Sequence, residues 1–200
     1  LVEQCSARFH TRSAVSAVRR HEQGVTLTVN GEQQEFDQLI LACHSDQAMA
    51  LLDDPDSRET DCLSRLGYQD NEVVLHTDIR LLPRRQRVWS SWNALLFDDD
   101  QERVQVTYDM NILQGIQAPE TFCVTLNATD KIDPEKIIAR YDFAHPLFTP
   151  DTVAACETLL AGNGERRTWY AGAWCRNGFH EDGVVSALDV VRALSPESAP

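Results

Sequence analysis

The chain has 200 residues, of which 42% are hydrophobic, enough to bury one large core or two small ones. Its net charge of -13 and pI near 4.8 exclude a nucleic-acid surface, which needs a basic patch to neutralise phosphates. The compact basic cluster Arg84-Arg85-Gln86-Arg87 reads as a solvated loop, and no apolar run reaches the ~20 residues of a membrane helix.

Residues 8–43 read as β structure. Residues 9–18 alternate loosely toward Val15 and Val18, and Gly24 marks a turn. Residues 25–29 are a β-rich alternating run, and Asn30-Gly31 is a strong hairpin signal with residues 33–36 as the return strand. Residues 37–43 form a short continuous apolar run, the pattern of a strand buried on both faces. A helix to Leu52 follows, with Ser45 as its N-cap. Residues 53–61 are acidic and hold Pro55, so they form a loop or helix start, and residues 62–66 continue as a short helix.

The middle of the chain differs. Residues 71–78, 88–97, 104–110 and 121–127 each read as strands, separated by charged or turn-rich loops that include Asp98-Asp99-Asp100. That spacing predicts an antiparallel sheet. Trp89 and Trp92 would then face opposite sides, one in the core and one toward a pocket. His76 reads as a surface or core-edge residue, and Asp109 and Asn111 as turn caps. A short helix opens at Asp133-Pro134, residues 143–150 form an extended loop, and a helix covers residues 153–160.

The last thirty or so residues combine a short apolar strand ending at Gly172, a polar loop and a helix opening after Asp182 and Gly183. Val184, Leu188, Val191 and Leu194 give that helix an apolar face. A strand that delivers a helix N-terminus to a glycine-lined loop presents unpaired N–H groups and a positive dipole end, which suits an anionic ligand. His180 and Glu181 lie in the loop where such a ligand would sit. Gly162-Asn163-Gly164 looks like half a dinucleotide fingerprint, but Arg167 stands where the third glycine belongs, so a turn is the better reading.

Several chemistries lack their motifs. The sequence holds no G-x-S-x-G, no H-E-x-x-H and no Walker A loop. Cys5, Cys43, Cys62, Cys123, Cys156 and Cys175 are scattered without a C-x-x-C pair, which predicts reduced, mostly buried thiols in a cytoplasmic protein and no metal site. Cys43, His44, Cys175 and His180 do not have zinc-ligand spacing.

Three stretches together carry a family resemblance. They are Arg167-Thr168-Trp169-Tyr170-Ala171-Gly172-Ala173-Trp174 with Asn177-Gly178-Phe179-His180-Glu181-Asp182-Gly183-Val184-Val185-Ser186-Ala187; Thr11-Arg12-Ser13-Ala14-Val15-Ser16-Ala17-Val18; and Phe36-Asp37-Gln38-Leu39-Ile40-Leu41-Ala42. These resemble the flavin-containing amine oxidoreductases, the family of monoamine oxidase, protoporphyrinogen oxidase and phytoene desaturase. Cys43-His44-Ser45-Asp46-Gln47-Ala48, Val74-Leu75-His76-Thr77-Asp78 and Trp89-Ser90-Ser91-Trp92-Asn93 are similar to a bacterial branch of predicted NAD/FAD-binding oxidoreductases.

The resemblance implies an α+β chain: an antiparallel-sheet substrate domain plus the carboxyl-terminal part of a Rossmann-like FAD-binding domain. Residues 1–45 and 151–200 would belong to the FAD-binding domain and residues 46–150 to the substrate domain. FAD would be the cofactor of the full-length protein. Val15 would place its backbone against the adenine, Gly172 and Ala173 would approach the ribityl and pyrophosphate, and Gly183, Val184 and Val185 would face the flavin pyrimidine edge. The family's amino-terminal G-x-G-x-x-G segment is missing from this sequence. The chain is therefore expected to be a carboxyl-terminal fragment, inactive by itself, from an enzyme that oxidises a C–N or C–C bond of an apolar substrate. The resemblance points to no catalytic residue. A homodimer through exposed flavin-domain surface is a further expectation. The rival reading is a non-enzymatic α+β module that holds an apolar ligand or a protein partner. The two readings differ on whether the strands within 39–43 and 168–173 lie side by side and parallel.

Overall fold

The computed structural model describes residues 2–95 and 105–195. The fold mixes helices with three sheets and divides into two compact units, one built from residues up to Gly67 and from Pro146 onward, the other from Tyr68–His145.

The first unit opens with a three-stranded antiparallel sheet of β1 (Val15–His21), β2 (Gly24–Val29) and β3 (Glu32–Phe36). Asn30 and Gly31 both take positive φ, 50° and 86°, which is the hairpin turn their sequence calls for. β1 starts later than the apolar alternation predicts and runs on through Arg19, Arg20 and His21. Hydropathy misses this because Arg20 is buried by pairing: its guanidinium meets Glu59 and Asp54.

A second sheet has two strands, β4 (Leu39–Leu41) and β10 (Thr168–Tyr170), which run parallel with Leu39 opposite Thr168 and Leu41 opposite Tyr170. Leu41 is buried, but Ile40 is 45% exposed, so β4 is covered on one face and not on both as its apolar run suggests. Four helices belong to this unit: α1 (Ser45–Leu51), α2 (Ser57–Arg65), α4 (Pro150–Ala161) and α5 (His180–Leu194). α1 and α2 thus pack in the first unit, although their sequence position suggested the middle domain. His44, and not Ser45, occupies the N-cap of α1, and Ser45 is a buried first-turn residue. α2 begins with a capping box in which Asp56 and Glu59 each accept the other's backbone N–H. Val18, Val25, Leu41, Ala48, Leu63 and Leu159 form part of the shared core.

α5 departs most from its sequence pattern. It begins at His180 with Phe179 as N-cap, because the Asp182 carboxylate accepts the Phe179 N–H at 3.0 Å. Its buried face carries Ser186 and Val190. Val184, Leu188, Val191 and Leu194, the expected packing stripe, face outward. Residues 162–167 form a turn and a short 3-10 helix, as the fingerprint's missing third glycine implies.

The second unit is a five-stranded sheet in the order β6-β7-β8-β5-β9, made of β5 (Tyr68–His76), β6 (Trp92–Leu95), β7 (Gln105–Asp109), β8 (Cys123–Leu126) and β9 (Ile137–Pro146). The pairs β6–β7, β7–β8 and β5–β8 are antiparallel, as expected. β9 takes in residues 143–146, which read as a loop because Pro146 and Pro150 punctuate that stretch. The strand expected over 88–97 starts only at Trp92, after a 3-10 turn at Gln86–Val88; Trp89 is off the strand and donates its indole N–H to the Pro83 carbonyl at 2.7 Å. The remainder of that expected strand past residue 95, the Asp98-Asp99-Asp100 loop and Val104 lie outside the described residues. Asp109 caps α3 (Met110–Gln114) by accepting the Ile112 N–H, as its position predicts.

Candidate functional site

The site is built where β10 ends. The Ala171 N–H donates to the Leu41 carbonyl at 3.1 Å, so the parallel pairing continues one residue past β10. The chain then turns through Gly172 into a 3-10 helix, Ala173–Cys175. Gly172 is fixed by space: a Cβ there would sit 2.7 Å from Nε1 of Trp174. That indole is held in place because its N–H donates to the Cys43 carbonyl at 3.0 Å, just beyond β4.

Two contacts join this turn to α5. The Gly172 N–H donates to the Ser186 hydroxyl at 2.9 Å, and that hydroxyl donates to the Gly183 carbonyl at 2.8 Å. Gly183 also packs against the Ala173 backbone, since a Cβ on Gly183 would lie 3.6 Å from the Ala173 nitrogen. The structure therefore brings Gly172, Ala173 and Gly183 together. Ser186 is the residue that sequence reasoning missed: a small polar residue inside a helix gives no signal until its buried partner is known.

The other sequence candidates are placed differently. Gly183, Val184 and Val185 stand in the second turn of α5, not at its N-terminus, and the Gly183 N–H already bonds the Phe179 carbonyl at 3.3 Å. Val184 is exposed and Val185 half-buried. His180 and Glu181 are exposed in the first turn of the helix. That turn also carries Asp182, so two carboxylates offset the positive end of the helix, and an anionic group there would gain less than at a bare N-terminus. Val15 belongs to the other sheet, where it starts β1 opposite Val29 and packs half-buried against the shared core.

A buried polar network supports the base of the site. The Tyr170 hydroxyl donates to Glu59 at 2.8 Å, Arg20 reaches the second Glu59 oxygen at 2.9 Å, and Arg166 pairs with Asp54. Burial works against the Glu59 charge, yet the hydrogen bonds from Arg20, the Asp56 N–H and Tyr170 outweigh it and hold the carboxyl below its ordinary value. Burial and the Glu59 carboxylate raise the Tyr170 phenol well above its usual range.

The sheet of the second unit has two unlike faces. One carries the cross-strand row Asn93, Thr107, Thr125 and Val74, with Asp109, Cys123 and His76 in the next row, all buried. His76 is fully buried, and so is not the surface or core-edge residue its strand position suggested. Its Nδ1 accepts the Asp78 N–H at 3.0 Å, so Nε2 carries the proton toward the Thr125 hydroxyl at 2.7 Å, which contacts the Thr107 hydroxyl at 2.7 Å. Burial lowers the His76 pKa against the opposing pull of Asp78. The opposite face is apolar: Trp92, Tyr108, Val124 and Leu75 form one row, and Ala94, Val106, Leu126 and Val73 the next. Trp92 on this face is 62% exposed.

Among the described residues, no group of three or more His, Cys, Asp or Glu is placed to hold a metal ion. No helix among them is long and apolar enough to cross a membrane.

No family model and no curated protein matches the sequence. Solved structures do match the fold. A protein described as a protoporphyrinogen oxidase from Exiguobacterium aligns with a TM-score of 0.64 at 12% identity, over 91% of this chain and 46% of its own. A fatty acid isomerase from P. acnes that produces CLA aligns with a TM-score of 0.61 at 17% identity, over 92% of this chain and 48% of its own. Cyclohexylamine oxidase from Brevibacterium oxydans aligns with a TM-score of 0.57 at 13% identity, over 90% and 48%. The chain spans about half the length of each of these structures. At these identities the likeness is one of fold, and the matched proteins include both an isomerase and oxidases.

Proposed function

We propose that this chain is the carboxyl-terminal part of an FAD-dependent, amine oxidase-like oxidoreductase that acts on a C–N or C–C bond of an apolar substrate. The observation that carries the reading is the parallel pairing of β4 with β10, which leads into the Gly172 turn and on to α5. Ligands of open parallel sheets bind beyond the carboxyl ends of the strands, and Gly172 and Ala173 follow that end of β10. A self-contained binding module has no need of a two-stranded parallel sheet, so this pairing favours the flavin reading over the rival.

The residues present suit part of a flavin cradle. Gly172, Ala173 and Gly183 meet backbone to backbone, and Ser186 fixes their spacing. In this reading Gly172 and Ala173 approach the ribityl and pyrophosphate, Gly183, Val184 and Val185 face the pyrimidine edge, and Val15 lies along the adenine. Bound FAD would supply the two-electron acceptor. The chain's own residues would orient the cofactor and keep water from it. The pyrophosphate-gripping G-x-G-x-x-G segment is not in this sequence, so the chain alone is expected to turn nothing over.

The sheet of the second unit supplies the substrate side of the proposal. Trp92, Tyr108, Val124 and Leu75 make an apolar wall suited to an aliphatic or polycyclic substrate. The fatty acid isomerase among the similar structures is in keeping with such a substrate.

The test is to express the longer polypeptide that contains this chain beside the chain itself. The longer protein should carry visible flavin absorbance that amines or unsaturated lipids bleach, and the chain should be colourless. A colourless longer protein, with no flavin released on denaturation, would overturn the assignment. Stoichiometric flavin on the chain alone would overturn its description as part of a cradle.

A further inference from the structure

We propose that β9 is the pairing edge for a second copy of this chain, in an antiparallel two-fold arrangement that sets Arg140 of each copy opposite Asp142 of the other. The proposal does not rest on the flavin reading. It uses the second unit, not the flavin-domain surface suggested by the sequence.

β9 stands last in the order β6-β7-β8-β5-β9, so its outer edge meets no strand among the described residues. It has ten residues, against about five or six in an ordinary strand. Exposed edges are commonly kept from other chains by lysine or by an interior proline. β9 contains no lysine, and its one proline, Pro146, is its last residue. Ile138, Tyr141 and Phe143 are exposed along it. The Tyr141 and Phe143 rings stack with centroids 5.7 Å apart and planes within 2°, a flat apolar surface held toward solvent.

The charges on this strand name its partner. Arg140 and Asp142 flank Tyr141 and are exposed, and neither has a hydrogen bond or ion pair among the described residues. Antiparallel pairing about a two-fold axis sets side chains of one face opposite each other. With the axis at Tyr141, Arg140 meets Asp142 twice and Ile138 meets Ala144. On the other face the two Tyr141 rings adjoin, each with its stacked Phe143. Sliding the copy by two residues moves the axis to residue 140 or 142, which puts Arg140 opposite Arg140 or Asp142 opposite Asp142. Like charges directly opposite are unfavourable, so charge selects one register. The strand is thus its own complement, and the pairing closes at two copies.

Sedimentation and light scattering test this at about 0.15 M salt, where a Debye length of ~8 Å screens the repulsion between two chains of net charge -13. The expected mass rises with concentration from 22.5 kDa to twice that value and stops there. Arg140→Asp and Asp142→Arg, each checked for native circular dichroism, should each raise the dimer dissociation constant by about tenfold or more. The double variant Arg140→Asp/Asp142→Arg should return it close to the parent value. Hydrogen exchange of the parent chain stands by itself if a variant fails to fold: the amides of residues 138–144 should slow as concentration rises through the dimer constant. A parent chain that stays at 22.5 kDa up to about 1 mM overturns the proposal. So does a dimer that neither single variant weakens, a double variant no tighter than the singles, or assembly that continues past two copies. The longer polypeptide should pair through the same edge. A monomer whose β9 amides are protected at every concentration would put another segment of that polypeptide on the strand, and would overturn the assignment to a second copy.

Discussion

The backbone N–H of Gly172 ends on the hydroxyl of Ser186 at 2.9 Å, and this hydrogen bond sets the spacing between the end of β10 and α5. Ser186 is 6% exposed, so water cannot readily replace the hydroxyl. Ser186→Ala should lower stability by about 1–3 kcal/mol, the usual cost of leaving a buried donor unpaired. Chemical denaturation of the chain measures this. Under the proposed function, the same variant in the longer polypeptide should release flavin more readily, and unchanged flavin retention would remove Ser186 from the proposed cradle.

Gly172 and Gly183 should respond oppositely to alanine. At Gly172 the new methyl meets the Trp174 indole at 2.7 Å and must push it from the Cys43 carbonyl, at a cost of about 1–3 kcal/mol for overpacking. At Gly183 the nearest atom is 3.6 Å away, an ordinary contact, and the site is inside a helix. Gly183→Ala should therefore be neutral or stabilising, by up to ~1 kcal/mol. Thermal melts of the two variants check this. Destabilisation by Gly183→Ala greater than by Gly172→Ala would contradict the packing described here.

Glu59 gathers Arg20, Tyr170 and the Asp56 N–H in the core of the first unit. Glu59→Gln keeps the shape but leaves the buried Arg20 charge with only Asp54 as a counter-ion. The expected loss is about 3–5 kcal/mol, as for other buried pairs broken on one side. Urea denaturation reads it, and a loss under about 1 kcal/mol, typical of a surface pair, would show that the network contributes little.

The same residues show what a sequence reveals and what it hides. The Asn30-Gly31 hairpin, the strands at 168–170 and 123–126, and the Asp109 cap follow from local chemistry, and each stands where its residues predict. Arg20 reads as a strand-ending charge because its partner, Glu59, is 39 residues away, and only folding brings the pair together. The α5 stripe misleads for a related reason: an apolar pattern identifies a face but not what covers it, and the face that packs here carries Ser186. One face of the second unit's sheet buries polar side chains such as Thr107, Thr125 and His76, which defeats hydropathy alternation and becomes visible only through strand register. In the candidate site, glycines and a strand–helix order were legible, whereas the hydroxyl that joins them was not.

His76 sets the pH response of the second unit in a window of its own. The folded ring is neutral, with Nδ1 accepting the Asp78 N–H and burial lowering its pKa below the ordinary 6.5. The unfolded chain therefore binds a proton at His76 as pH falls through 6.5 while the folded chain does not, and stability must fall with it. Asp78 works in the other carboxylate range: Arg80 and the Asp133 N–H hold its pKa below the ordinary 3.8, so its contribution is complete above that value and disappears only in stronger acid. Glu59 behaves likewise below 4.5. Loss of stability between pH 6.5 and 5 thus reports on His76 rather than on these carboxylates. His76→Gln, which keeps a donor for the Thr125 hydroxyl, should reduce stability at pH 7.5 by about 1–3 kcal/mol for the lost acceptor. It should also flatten the decline between pH 6.5 and 5 relative to the parent chain, because the variant has no ring to protonate on unfolding. Urea midpoints measured for both chains at half-unit pH steps give the comparison. Parallel curves for parent and variant across that window would mean that His76 takes up its proton in the folded protein, against the buried neutral ring described here.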